Sequence, residues 1–236
     1  MSTSKLSFPR DWYFKNYPIS WENAKFGILM INSVIYTVIS TLAVLILSLA
    51  AGFAFAKLPS KLTPLLHGSF IIGILLTLQS LMVPLFLMIN AVGLYNTRIG
   101  VIICYVGTGL PIGVYLCTEF IKDVPDSLIE SARIDGAKYL RILSSIIMPI
   151  AVPVSVTLAI LSVTGTWNEF MLINILVSRT ELKSLPVGIS QFSGARASDF
   201  GKQFSALVIG MAPMIIFYMI FRKQITKGVA AGAVKG

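Results

Sequence analysis

Residues 26–56 read FGILMINSVIYTVISTLAVLILSLAAGFAFA, thirty-one positions without an Asp, Glu, Lys or Arg. A bilayer core about 30 Å thick is crossed by roughly 20 helical residues, so this run is a membrane span with length to spare. Four more charge-free runs follow, Leu62–Thr97 (36 residues), Ile99–Thr118 (20), Ile142–Asn168 (27) and Gln203–Phe221 (19). The fold class that results is all-α, a polytopic integral membrane protein with five transmembrane helices. Because the run from Leu62 is too long for one untilted crossing and holds Pro64 and Pro84, it predicts a helix near Leu65–Asn90, then a Gly-containing loop to Thr97. Composition agrees: the 236-residue chain is 56% hydrophobic and 12% charged, about half the charged fraction of a soluble domain.

The net charge of +9 does not point to nucleic acid, because the basic residues lie singly between apolar runs instead of along one stripe. Anionic lipid headgroups are the counter-charge this spacing suits. Cys104 and Cys117 sit inside apolar runs without a CxxC spacing and read as small buried side chains. His67, the one histidine, has no second ligand nearby in sequence and reads as structural. Nothing in the sequence marks a metal, a cofactor, a catalytic triad or a GxxxxGK[ST] phosphate loop, so an enzyme, and ATP binding by this chain, are not expected. The N-terminal stretch Met1–Lys25 has aromatic residues at Trp12, Tyr13, Phe14, Tyr17 and Trp21 and no apolar signal core, a composition that suits a membrane interface. Five spans put the termini on opposite sides. A cytoplasmic C-terminus leaves ten basic residues inside against nine outside, so the positive-inside rule alone barely decides the orientation.

The polar segment Asp123–Pro153, DVPDSLIESARIDGAKYLRILSSIIMPIAVP, is the most informative. Pro125 marks a turn, and Ser127-x-x-Glu130 has the form of a capping box. A short helix is expected over Asp126–Leu140, with Ile129, Ala132, Gly136, Ala137 and Leu140 recurring on one face. A helix-interior glycine costs about 1 kcal/mol against alanine, so Gly136 implies either close approach by another surface or a bend between two short helices. By itself the segment fits an interfacial amphipathic helix as well as a docking helix. After the fourth run, Glu169 beside Trp167 reads as an interfacial anchor, and Glu169–Lys202 is too polar for lipid exposure and reads as an external loop.

Glu130-Ser131-Ala132, three residues, Gly136, nine residues, Ile146, one residue, Met148-Pro149 resembles the E-A-A, x3, G, x9, I-x-L-P loop of binding-protein-dependent ABC importer permeases, with Ser131 and Met148 departing from it. Asn32-Ser33, Ala54-Phe55-Ala56, Gly93-Leu94-Tyr95-Asn96-Thr97, Trp167-Asn168-Glu169-Phe170 and Gly232–Gly236 are similar, in this order, to the carbohydrate-uptake branch, in particular the smaller permease of maltose-type transporters. The resemblance implies a type I permease core over 26–222, including a cytoplasmic coupling loop over 123–149, with an extracytoplasmic tail over 1–25 and a cytoplasmic tail over 223–236. It implies that Ser127–Leu140 is a coupling helix seated in an ATPase subunit, with Glu130, Ser131, Ala132, Asp135 and Gly136 as the coupling positions, Glu130 for charged or capping contacts and Gly136 for fit. The implied partners are a second permease subunit, two ATP-binding subunits, a solute-binding protein and membrane lipid. The implied place is the plasma membrane of a prokaryote. The implied cargo is a sugar or oligosaccharide, the alternatives being a polyol, a sugar phosphate or, in another class, a stand-alone secondary transporter with intramembrane charges or paired half-helices. Met1–Lys25 resembles the outer loop after a first helix that the family normally has, so that helix is expected to be missing from this chain.

Overall fold

The computed structural model describes residues 14–23, 25–58, 60–190 and 200–233. Its elements are α1 (Asn16–Asn23), α2 (Phe26–Lys57), α3 (Thr63–Leu75), α4 (Leu78–Ala91), α5 (Arg98–Lys122), α6 (Asp126–Ile134), α7 (Tyr139–Ile142), a π-helical turn (Leu143–Ile147), α8 (Met148–Ile150), α9 (Val152–Asn168), α10 (Met171–Leu176), a 3-10 turn (Thr180–Leu182), α11 (Leu185–Ser190) and α12 (Phe200–Ala233). The described residues are helices joined by short turns, with no strand among them, as the charge-free runs require.

Three helices, α2, α5 and the stretch Phe200–Arg222 of α12, are each long and apolar enough to cross a membrane alone. Five spans result only when two bent pairs count as one each: α3 with α4, bent by 113°, and Tyr139–Ile150 with α9, bent by 79°. The single helix expected over Leu65–Asn90 is therefore broken. Leu76 and Thr77 take extended backbone, which turns the chain before α4 begins, and the Thr77 hydroxyl meets that of Ser80 at 2.9 Å without capping a backbone amide. In the second pair the break falls at Ala151, between Pro149 and Pro153, residues that cannot donate to the preceding turn.

The central packing is α2 against α5 and α9. Along α2 the residues Asn32, Ser33, Thr37, Ser40, Thr41 and Ser48 are buried, whereas Ile31, Leu42 and Ile46 are exposed. This is the reverse of a soluble helix and the rule in lipid, where small and polar residues let helices approach and apolar ones meet acyl chains. Gly52 marks a close approach of α2 to α5: a Cβ there would lie 2.7 Å from the Cys117 Cβ and 2.9 Å from the Thr118 amide nitrogen. Toward the C-terminal end of α2 the core is formed by Phe53, Cys117, Ile121, Val124, Ile129, Ile142 and Ile147, and toward the other end by Tyr36, Val101, Tyr105, Leu172, Ile173 and Leu176. Both cysteines are free and buried.

Part of the N-terminal stretch folds as α1, which packs on α12 with the Ser20 hydroxyl donating to the Lys202 carbonyl at 3.0 Å. Trp12 and Tyr13 lie outside the described residues, as do 191–199, with Gly194, in the segment expected to be an external loop, and 234–236 at the C-terminus. Backbone of the expected tail over 223–236 continues α12 as far as Ala233.

Candidate functional site: a capped helix outside the bundle

The helix expected over Asp126–Leu140 stops at Ile134. Gly136 has φ +78°, the Gly136 amide donates to the Arg133 carbonyl at 3.0 Å, and the Ala137 amide donates to the Ala132 carbonyl at 2.9 Å. These two bonds define a Schellman stop. Of the two readings of Gly136, the bend is the one the structure has: a Cβ there would meet nothing within 4 Å inside this chain. The Arg133 guanidinium lies 5.6 Å from the centre of the Tyr139 ring, bracing the turn from the other side. The capping box does not form. Pro125 occupies the N-cap, Ser127 lies inside the helix, and the Ser131 hydroxyl donates back to the Ser127 carbonyl at 2.6 Å.

The break also redistributes the faces. Val124 and Ile129 are buried, and Ala132 and Ala137 pack half-buried against the same core. Leu140, placed by periodicity on that inner face, is instead 81% exposed, because the chain turns at Gly136; Ile134 beside it is 86% exposed. Glu130, Ser131, Asp135 and Gly136 face outward, while Ala132 is turned to the core. Four of the five positions expected to couple are thus exposed, as are the apolar Leu128, Ile134 and Leu140, the last two not placed outward by periodicity.

At the opposite end of α2 the short motifs converge. Asn32 donates from Nδ2 to the carbonyls of Glu181 (2.7 Å) and Lys183 (3.0 Å) and accepts from Arg98 Nη2 at 3.0 Å. The Tyr36 hydroxyl donates to the Leu182 carbonyl at 2.7 Å, and Ser33 Oγ accepts from the Leu185 amide at 2.8 Å. Asn96 accepts from the amides of Ser178 (2.6 Å) and Arg179 (3.2 Å) through Oδ1. Glu169–Ser190 is therefore a packed segment tied to α2 and to the α4–α5 loop.

Glu169 has a more specific role than interfacial anchoring. Its carboxylate accepts from the Tyr105 hydroxyl at 2.8 Å and from the amides of Leu172 (2.6 Å) and Ile173 (3.1 Å), closing the N-terminus of α10. It also borders a cavity of about 260 Å³ between α2, α5 and α9, whose polar lining includes Ser40, Tyr105, Thr108, Ser162 and Thr166. Ser40 Oγ is buried there without a hydrogen-bond partner. These hydroxyls come from three separate spans, α2, α5 and α9, so no single stretch of sequence announces the cavity.

A helical bundle that buries its hydroxyls and exposes its apolar faces is the build of a membrane-embedded protein. The chain belongs to the family of binding-protein-dependent transport system inner membrane components, whose model matches residues 28–231. It is 34% identical over 236 residues to an ABC transporter permease of Caldicellulosiruptor sp. (strain Rt8B.4), covering 100% of this chain and 86% of that one. It is 31% identical over 235 residues to a melibiose/raffinose/stachyose import permease of Bacillus subtilis (strain 168), covering 99% and 85%. In fold it is similar to a chain of a bacterial ABC transporter that imports the acidic polysaccharide alginate, with TM-score 0.82, 22% identity, and 94% and 83% of the two chains covered.

Proposed function

We propose that this chain is one of two permease subunits of an ATP-driven importer in a prokaryotic plasma membrane, carrying a sugar or oligosaccharide handed over by a solute-binding protein. Two ATP-binding subunits supply the energy from the cytoplasm, the side on which α6 and the C-terminus lie. The observation that carries this reading is the exposed surface of α6 and of the turn that follows it: charged Glu130 and Asp135 with Ile134 and, on α7, Leu140, apolar side chains more than four-fifths exposed on a polar segment. Such a patch marks a protein or membrane contact, and the family match favours a protein one.

Mechanically, closure of the ATP-binding pair draws two clefts together, and a helix seated in each transmits the displacement to the spans. Transmission requires different contacts in the two states, since a helix held equally in both shifts nothing. The sugar reading is supported by the names of relatives and by the hydroxyl-lined cavity, whose donors and acceptors suit a polyhydroxylated solute.

The test is transport by the complete complex in liposomes, with melibiose, raffinose, stachyose, mannitol and a hexose phosphate offered separately with the solute-binding protein. ATP-dependent accumulation of one of the three oligosaccharides is the expected result. Accumulation of mannitol or of the phosphate would move the cargo to another solute class, and uptake driven by an ion gradient without ATPase subunits would contradict the importer itself.

A further inference from the structure

Lys57 is the last residue of α2, yet its side chain is only 6% exposed. Its ammonium group lies 2.6 Å from the Val124 carbonyl, 2.8 Å from Asp126 Oδ1 and 3.2 Å from the Lys122 carbonyl. An ammonium has three protons to donate, and all three are used. The partners belong to different elements. Lys122 ends α5 and Val124 follows it, so their carbonyls stand where a helix leaves acceptors unsatisfied and carries its negative dipole end. Asp126 is the first residue of α6, where a negative charge is favoured.

Pro125 lies between these two sets of acceptors, so Lys57 grips both sides of the turn on which α6 would pivot. Without it, α6 is attached to the bundle through Pro125 and the apolar contacts of Val124, Ile129 and Ala132. Apolar packing is not directional and permits a short helix to roll. A charged group bonded to two carbonyls and a carboxylate fixes its direction.

We infer that Lys57 is a positioning residue for energy coupling: it bridges α6 directly to α2, so that a displacement of α6 is delivered to the central helix of the bundle and not to α5 alone. The inference rests on the coupling role proposed above for α6.

The experiment places spin labels at Ile46 on α2 and Ser127 on α6, both exposed, in the full complex with its ATP-binding subunits. Distances are recorded without nucleotide and with a non-hydrolysable ATP analogue. With Lys57 present, the two labels should move together, their separation holding within about 1–2 Å, the scale of helix shifts at interfaces. Lys57→Met should shift or broaden the distribution beyond that only when nucleotide is added, Lys57→Arg should restore it, and Asp126→Ala, at a 74% exposed side chain, should give a partial effect in a protein that still assembles. A Lys57→Met distribution identical to the parent in both states would overturn the inference. So would equal broadening with and without nucleotide, or loss of assembly by Lys57→Met together with parental behaviour of Asp126→Ala. A second label pair, from Ser127 to the ATP-binding subunit, separates the two claims: absence of proximity there refutes the coupling role of α6, whereas proximity with an unaffected Lys57→Met distribution refutes only the role of Lys57.

Discussion

Replacing Gly136 with leucine, or reversing the charge at Glu130 with lysine, should abolish uptake while leaving the subunit inserted and folded. At Gly136 the backbone has φ +78°, a region that costs an L-residue roughly 1–2 kcal/mol, an amount a packed bundle tolerates. Nothing within this chain crowds the new side chain, so a loss of tenfold or more, about 1.4 kcal/mol, must be felt where a partner meets the turn. Glu130 is exposed, and an exposed substitution away from special features changes stability by about 0.5 kcal/mol or less; lysine there reverses the charge that the proposed coupling role assigns to this surface. The measurement is ATP hydrolysis by the reconstituted complex, stimulated by the loaded solute-binding protein. Near-normal stimulation in both variants would remove the coupling role from α6.

Glu169→Leu should damage the fold itself. The substitution leaves the Tyr105 hydroxyl and the amides of Leu172 and Ile173 without their acceptor, and Leu172 and Ile173 are 0% exposed, so water does not replace it. An unsatisfied buried donor costs about 1–3 kcal/mol, while side-chain hydrogen bonds between membrane helices average nearer 0.6 kcal/mol. The two amides follow the larger figure and the hydroxyl the smaller, so the expected loss is about 3–7 kcal/mol. It should appear as a markedly lower unfolding temperature in detergent and poor recovery of the assembled complex. Glu169→Gln keeps an amide oxygen to accept and should fall between leucine and the parent. Parental thermal stability of Glu169→Leu would show that the α10 N-terminus is satisfied in another way.

Much of this architecture is legible in the sequence because lipid enforces it: a run without charges has to be helical, since the backbone finds no partners outside itself. The breaks are less legible. Pro84 lies inside α4, yet the α3–α4 break falls at Leu76 and Thr77, where two residues of an apolar run take extended backbone with no proline or glycine to announce it. These broken pairs are also a feature expected of the rival secondary transporter, so the bend alone does not separate the classes; the family match over residues 28–231 does. At the coupling segment, Gly136 was recognised as a bend or a contact, but periodicity carried one helix face across it and misplaced Leu140. Lys57 was invisible for a different reason. Its three acceptors lie 65 to 69 positions away, and two of them are backbone carbonyls, which no residue type announces.

The central claim is that α6 sits on an ATP-binding subunit, and a photoreactive residue in place of Ile134, the most exposed apolar side chain of that helix, tests it most directly. In native membranes, irradiation should link this chain covalently to an ATP-binding subunit, with a yield that changes when nucleotide is added. Cross-links confined to lipid or to the solute-binding protein would contradict the claim.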